Sequence, residues 1–268
     1  MQRFAEMKRF NNVIEPPFEE VFQKDHQLKG RWHDSVFDND HPIILELGCG
    51  KGEYTVNLAR RYPQYNFIGI DIKGARMWKG AKQALSEGIR NAVFLRTRID
   101  FIRSFFACDE ISGIWITFPD PQPKKPLKRL VSTRFLERYQ HFLQHRSVVH
   151  LKTDNTQVHQ YARLLVYTNE LEILRNEGDV HATRDEDLQE IRNIKTFYEQ
   201  QFIGENKKIK YLAFRLDKDK VLAEPPEEEE DPWSVPKDKK EKSEAVTGAR
   251  GNDFQEKQLD HNNPPAQP

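Results

Sequence analysis

IILELGCGKGEYTVNLARRYP, residues 43–63, decides the architecture. IILEL (43–47) is a short apolar run that ends in glycine-rich sequence, the signature of a buried strand running into a turn. Glycines follow at 48, 50 and 52. EYTVNLARRY (53–62) then has helical spacing through Val56, Ala59 and Arg60, and Pro63 stops it. Strand, glycine loop and helix make one βα unit, and the pattern repeats downstream. NFIGI (66–70) is a second strand and ARMWKGAKQALSEG (75–88) a helix closed by Gly88. AVFL (92–95) is a third strand, followed by a short helix through Phe101 to Phe106. GIWITF (113–118) is a fourth, and STRFLERYQHFL (132–143) a helix starting at Ser132 or Thr133. SVVHLKT (147–153) is a fifth, and DNTQVHQYARLLVY (154–167) a helix with Asp154 as its expected N-cap. Beyond residue 170, LEILRNEGDV and KIKYLAFRL read as two further strands, with TFYEQQF a short helix between them. Such alternation predicts an α/β fold with a mostly parallel, seven-stranded sheet. Right-handed crossovers place helices on both of its faces.

The chain has 268 residues, enough for one large domain with appendages. Residues 1–40 are polar with scattered aromatics (Phe4, Phe10, Phe18, Phe22, Trp32) and read as an arm lying on the domain, which spans 41–216. From Asp217 onward there are 14 Asp/Glu and 8 Lys/Arg, with runs such as EPPEEEEDP and KDKKEKSE. This tail, 217–268, cannot bury enough surface to offset its chain entropy and is expected to be disordered. The formal net charge of zero therefore conceals a body at +6 and a tail at −6. A basic body suggests a polyanionic partner.

Two cysteines, Cys49 and Cys108, cannot make a disulfide framework, and no CxxC occurs, so a reducing compartment and no structural metal are expected. His141, His145, His150 and His159 have no metal-ligand spacing. The N-terminus, MQRFAEMKRFNNV, has no apolar signal core, and no run of 18 apolar residues is present. A cytoplasmic address without membrane contact follows as the expectation.

In open α/β sheets ligands sit beyond the carboxyl ends of the strands. The loop LELGCGKGE has GxGxG spacing, where a dinucleotide loop would read GxGxxG. Gly48 and Gly50 allow a ligand to approach the backbone. Glu46 precedes them on the strand. An acid there repels a diphosphate and attracts a cationic amino-acid ligand, which favours S-adenosylmethionine over NAD. A bare turn is the alternative. Asp71, at the tip of the second strand, suits a ribose diol, or else caps the helix from Gly74.

ITFPDPQPKK (116–125) places Asp120 between Pro119 and Pro121 at the fourth strand tip. The prolines make the loop rigid and are expected to hold Phe118 and Asp120 extended. Lys124, Lys125, Lys128 and Arg129 follow, suited to a phosphate backbone, with a solvated surface run as the alternative.

ELGCGKGE, FIGID, ITFPDPQPKK with the following KRL, VHLKTDN and KTFYE, in that order, resemble the bacterial tRNA (guanine-N7-)-methyltransferases over about residues 1–216. The resemblance implies a Rossmann-like class I methyltransferase fold, S-adenosylmethionine as donor, and tRNA guanosine 46 as acceptor. It also implies cofactor contacts from Glu46, Gly48, Gly50, Asp71, Arg98 and Asp120, Arg98 standing where relatives carry an acid or amide. Lys124, Asp154 and the segment Thr196, Phe197, Tyr198 and Glu199 would contact the guanine substrate. Asp154 as a helix cap and Thr196–Glu199 as a first helical turn are the alternatives. After FPDP this chain has Gln122-Pro123-Lys124-Lys125-Pro126 where many relatives have Trp and a His/Arg-rich run.

Guanine N7 carries a lone pair and no proton, so no general base is needed. Asp120 is the expected catalytic residue, acting by position and charge. A monomer or homodimer is expected. The rival readings are a methyltransferase for another RNA, a protein or a small molecule, a dehydrogenase, or a non-catalytic RNA-binding protein.

Overall fold

The structure, a computed structural model, describes residues 2–226. Its centre is an eight-stranded sheet: β1 (Val13–Ile14), β2 (Ile43–Leu47), β3 (Asn66–Asp71), β4 (Ala92–Arg96), β5 (Ile111–Thr117), β6 (Leu143–Thr153), β7 (Ile173–Glu177) and β8 (Lys210–Arg215). The order across it is β1-β4-β3-β2-β5-β6-β8-β7. Strands β1 to β6 pair in parallel, while β8 runs antiparallel to both β6 and β7. The strand beyond the expected seven is β1, two residues of the arm that bond along the outer edge of β4. Two residues are too few for a period-2 pattern to emerge from sequence.

The helices are α1 (Gln2–Met7), α2 (Phe18–Val21), α3 (Glu53–Arg61), α4 (Gly74–Ser86), α5 (Thr133–Gln140), α6 (Thr156–Thr168), α7 (Gln189–Asn193) and α8 (Phe197–Gly204). Both sheet faces are covered, which is why all five residues of β2 are buried and no alternation shows in IILEL. Alternate residues still part. Ile43, Leu45 and Leu47 join the core that includes Leu136, Leu165 and Trp32. Ile44 joins the other, with Val56, Met77 and Trp115. Glu46 has the parity of Ile44, so its side chain points to the α3 face.

The order reverses at β2, whose neighbours are β3 and β5, and the crevice at that switch point is where ligands enter such sheets. The arm is folded onto the domain. Met7 and Trp32 are buried, and Asn12 Nδ2 donates to the Ala81 carbonyl on α4 at 3.0 Å.

Three local expectations change. The N-cap of α6 is Asn155, whose Oδ1 accepts from the Val158 N–H at 2.9 Å, so Asp154 lies one residue outside the helix. Phe118 has φ 48° and is not extended. The proline after it disfavours the right-handed helical region, and the Phe118 N–H is held by the Lys152 carbonyl at 2.8 Å. The expected boundary at 217 falls ahead of a packed segment. Leu222 is buried, and Ala223 exchanges two hydrogen bonds with the Asn169 side chain. The rest of the expected disordered tail, 227–268, lies outside the described residues.

Candidate active site

A cavity of about 620 Å³ opens beyond the carboxyl ends of β2, β3, β4 and β5. Its volume suits a nucleoside-sized ligand. The glycine loop forms one wall, with φ of 76° at Gly48, 54° at Gly50 and 69° at Gly52. These left-handed angles are open to glycine and strained for other residues. At Gly52 space is limiting as well, since a Cβ there would lie 2.4 Å from the Phe94 ring.

Asp71 fixes this loop to its own strand. Its Oδ2 accepts from the Gly50 N–H at 2.9 Å and its Oδ1 from the Lys73 N–H at 2.8 Å. The helix from Gly74 is flanked by Lys73, so Asp71 is not its cap. Each carboxylate oxygen keeps a lone-pair direction for a ligand. Asp71 lines the cavity, as do Gly48, Gly50, Arg98 and Asp120. Asp120 is exposed at the β5 tip. Arg98 is also exposed, with its guanidinium 3.5 Å from Asp100.

Glu46 is outside the lining. It is 3 % exposed, and its carboxylate accepts from the Thr55 N–H at 2.8 Å, the Thr55 hydroxyl at 2.5 Å and the Thr117 hydroxyl at 2.7 Å. It thus joins β2 to the first turn of α3 and to the end of β5, directly beneath the cavity floor to which Thr117 belongs. Burial pushes its carboxyl up to about 7, against the pull of the three hydrogen bonds.

The segment Thr196–Glu199 divides. Thr196 caps α8, its Oγ1 accepting from the Glu199 N–H, and lines the cavity together with Tyr198. Phe197 is exposed beside it, with the Lys51 ammonium 3.3 Å from its ring centroid. Glu199 turns inward. Its carboxylate is fully buried, 2.8 Å from the equally buried Lys152 ammonium and 3.0 Å from His181 Nε2. Burial pulls Lys152 below the usual lysine range, opposed by Glu199. Lys152 also donates to the carbonyls of Ile191 and Ile194, so it ties β6 to the end of α7 and the start of α8. Asp154 is half-buried and Lys124 exposed, and neither lines the cavity.

Sequence reasoning missed several cavity residues. Glu53 lines it and accepts from the Phe197 N–H at 2.7 Å, which fixes α8 over the glycine loop. Lys73, Arg76 and Arg134 add cationic groups to the rim, beside the expected Lys128. Lys152, which lies behind the cavity wall, was readable as a lone charge inside the apolar run VVHLKT; Glu53, Arg76 and Arg134 stand on helices brought over the crevice by tertiary packing.

Residues 40–212 match a protein family described as "Putative methyltransferase". The chain is 46% identical over 234 residues to a tRNA (guanine-N(7)-)-methyltransferase of Bacteroides thetaiotaomicron, covering 87% of this chain and 92% of that protein. It is 49% identical over 218 residues to the protein of that name from Christiangramia forsetii, covering 81% and 97%. Among solved structures, a 16S rRNA methyltransferase, KamB, superposes with a TM-score of 0.54 at 11% identity over 72% of this chain and 95% of that one. An antibiotic-related methyltransferase superposes at 0.53 and 13% identity, over 74% and 98%. These two likenesses establish the Rossmann-like methyltransferase fold.

Proposed function

The chain belongs to the tRNA (guanine-N(7)-)-methyltransferase family, and on that footing we propose that it methylates N7 of guanosine 46 in the tRNA variable loop with S-adenosylmethionine as donor. The observation that carries this reading is the single cavity that unites Asp71, Asp120 and a cationic rim at the switch point of the sheet.

The residues present fit the donor. Asp71, with both oxygens anchored by backbone N–H groups, offers a diol acceptor of fixed orientation. The Gly48–Gly50 backbone leaves room for close approach, and Arg98 borders the nucleoside end. Glu46 serves from beneath, by holding the first turn of α3 and Thr117 in place. When bound, the donor supplies an electrophilic methyl group on a sulfonium.

The chain's own part is to hold guanine N7 in line with that group. N7 carries its own lone pair, so positioning about 3 Å away in line can supply most of the rate. Asp120 accepts from the guanine N–H edge and offsets the positive charge that develops on the ring. Thr196 and Tyr198 complete the wall, and Phe197 offers a stacking face for a base drawn out of the tRNA fold. Lys124 contacts the phosphate backbone at the rim. Glu199 acts behind the base-binding segment, through Lys152, while Asp154, beside Lys207 and Lys210, stands apart from the cavity.

The test is mass analysis of tRNA nucleosides after incubation with protein and donor. The expected product is 7-methylguanosine mapping to position 46. Its absence, or methyl on another atom, overturns the reading.

A further inference from the structure

The match to the family model ends at residue 212 and β8 at Arg215, while the alignment to the Bacteroides thetaiotaomicron relative, over 87% of this chain, runs on past both. Residues 217–224 continue as an irregular strap with its own anchors. Gln140 Nε2 donates to the carbonyls of Asp217 and Lys220, at 2.7 and 2.8 Å. Leu222 enters the main core, and Ala223 is paired with the buried Asn169 side chain. The next residue is Glu224. Its Oε1 accepts from the Thr133 N–H at 3.1 Å and from the Thr133 hydroxyl at 2.5 Å. Its Oε2 accepts from the Tyr161 hydroxyl at 2.6 Å.

Both contacts lead to the cavity. Thr133 is the first residue of α5, whose own N-cap residue, Ser132, donates instead to the Leu127 carbonyl and leaves the helix without a side-chain cap. Glu224 therefore caps α5 from 91 residues downstream, and its charge suits a helix N-terminus. Arg134 and Phe135, in the same turn, line the cavity. On the other side, the Arg129 guanidinium lies 4.6 Å over the Tyr161 ring, and Arg129 Nε donates to the Pro121 carbonyl at 3.0 Å. Pro121 follows Asp120.

We propose that the strap 217–224 is a positioning element of the active site, with Glu224 as the residue that holds α5 and, through Tyr161 and Arg129, the Asp120 loop. Glu224 does not line the cavity. Its effect passes entirely through Thr133, Tyr161 and Arg129. The kinetic part of this inference rests on the methyltransferase reading above; the mechanical part does not.

The test compares the full chain with Glu224→Ala and Glu224→Gln. Hydrogen–deuterium exchange over residues 119–135 is the first readout. The Ala variant should exchange at least about three-fold faster there, as expected for a lost cap, and the Gln variant should stay near the parent chain. Methyl transfer to tRNA is the second readout. The Ala variant should lose about five-fold or more in kcat well below its melting temperature, because a small displacement of the Asp120 loop spoils alignment. Rescue by Gln is expected, since its amide oxygen still accepts from Thr133. Unchanged exchange in 119–135 overturns the proposal. So does faster exchange with kcat and KM both unaltered, which would make Glu224 a purely stabilising contact. A parent chain that methylates no tRNA would sink the functional reading instead, and the exchange comparison would still decide the bracing.

Discussion

The Lys152 ammonium lies 2.8 Å from the Glu199 carboxylate, and neither side chain is exposed to any degree. The pair joins a strand end to the helix that supplies Thr196 and Tyr198 to the cavity wall. Removing Lys152 leaves the buried Glu199 carboxylate with His181 Nε2, 3.0 Å away, as its remaining partner, at a cost of up to about 3–5 kcal/mol. Lys152→Met should therefore lower the melting temperature sharply. The double variant Lys152→Met, Glu199→Gln should regain much of that loss, as read by calorimetric unfolding. Equal melting temperatures for the single and double variants would show that the two groups are not coupled.

Asp71→Asn should weaken S-adenosylmethionine binding by about ten-fold or more, measured by titration calorimetry. The amide must turn its NH2 toward either the Gly50 or the Lys73 N–H, donor against donor, and it loses an acceptor for a diol. The fold should survive, because Asp71 is only half-buried.

Asp120→Ala should lower kcat by about 100-fold with little change in melting temperature, since its carboxylate lies at the exposed tip of β5. In the parent chain, kcat should be flat from about pH 6 to 9, because N7 has no proton to remove. A steep fall below neutrality would point to general-base chemistry.

Glu46 gives stability a defined pH dependence. Burial raises its carboxyl to about 7 in the fold, against 4.5 for the free group. Between those values the folded chain holds a proton that the unfolded chain has released. Raising the pH through this window therefore favours unfolding. Denaturant titrations at pH 5 and 7.5 should show the parent chain losing stability relative to Glu46→Gln, by up to about 3 kcal/mol. A Gln variant with the parent's pH profile would mean that the buried carboxyl stays ionised throughout.

Lys124→Ala and Lys128→Ala should each reduce the slope of log affinity for tRNA against log salt by about 0.7–0.9, the share of one phosphate contact. An unchanged slope for either lysine would remove it from the RNA interface.

The parallel sheet was readable from IILEL, NFIGI, AVFL and GIWITF because each is a short apolar run set off by turn or helical sequence, with full helices after IILEL and NFIGI. The loop residues Gly48, Gly50, Asp71 and Asp120 were readable because strand tips converge wherever βα units repeat. Glu46 was misplaced because its facing depends on strand parity, and in a run buried on both faces the parity leaves no trace in hydrophobicity. Glu199 was assigned to the substrate side because T-x-x-E reads the same whether the acid turns outward or toward a lysine 47 residues earlier. Glu53, Arg76 and the strap at Glu224 needed the packed helices, since nothing local in sequence sets how far one helix leans over another's loop.

The arm's short strand has a consequence for handling the protein. β1 occupies the outer rim of β4, and the Asn12 carbonyl receives the Phe94 N–H at 2.8 Å. A version cut before residue 15 would bare a row of unsatisfied peptide groups on Phe94 and Leu95, an invitation for a neighbouring molecule to add its own strand. Precipitation of such a shortened chain would then reflect a missing edge guard and not a failed core.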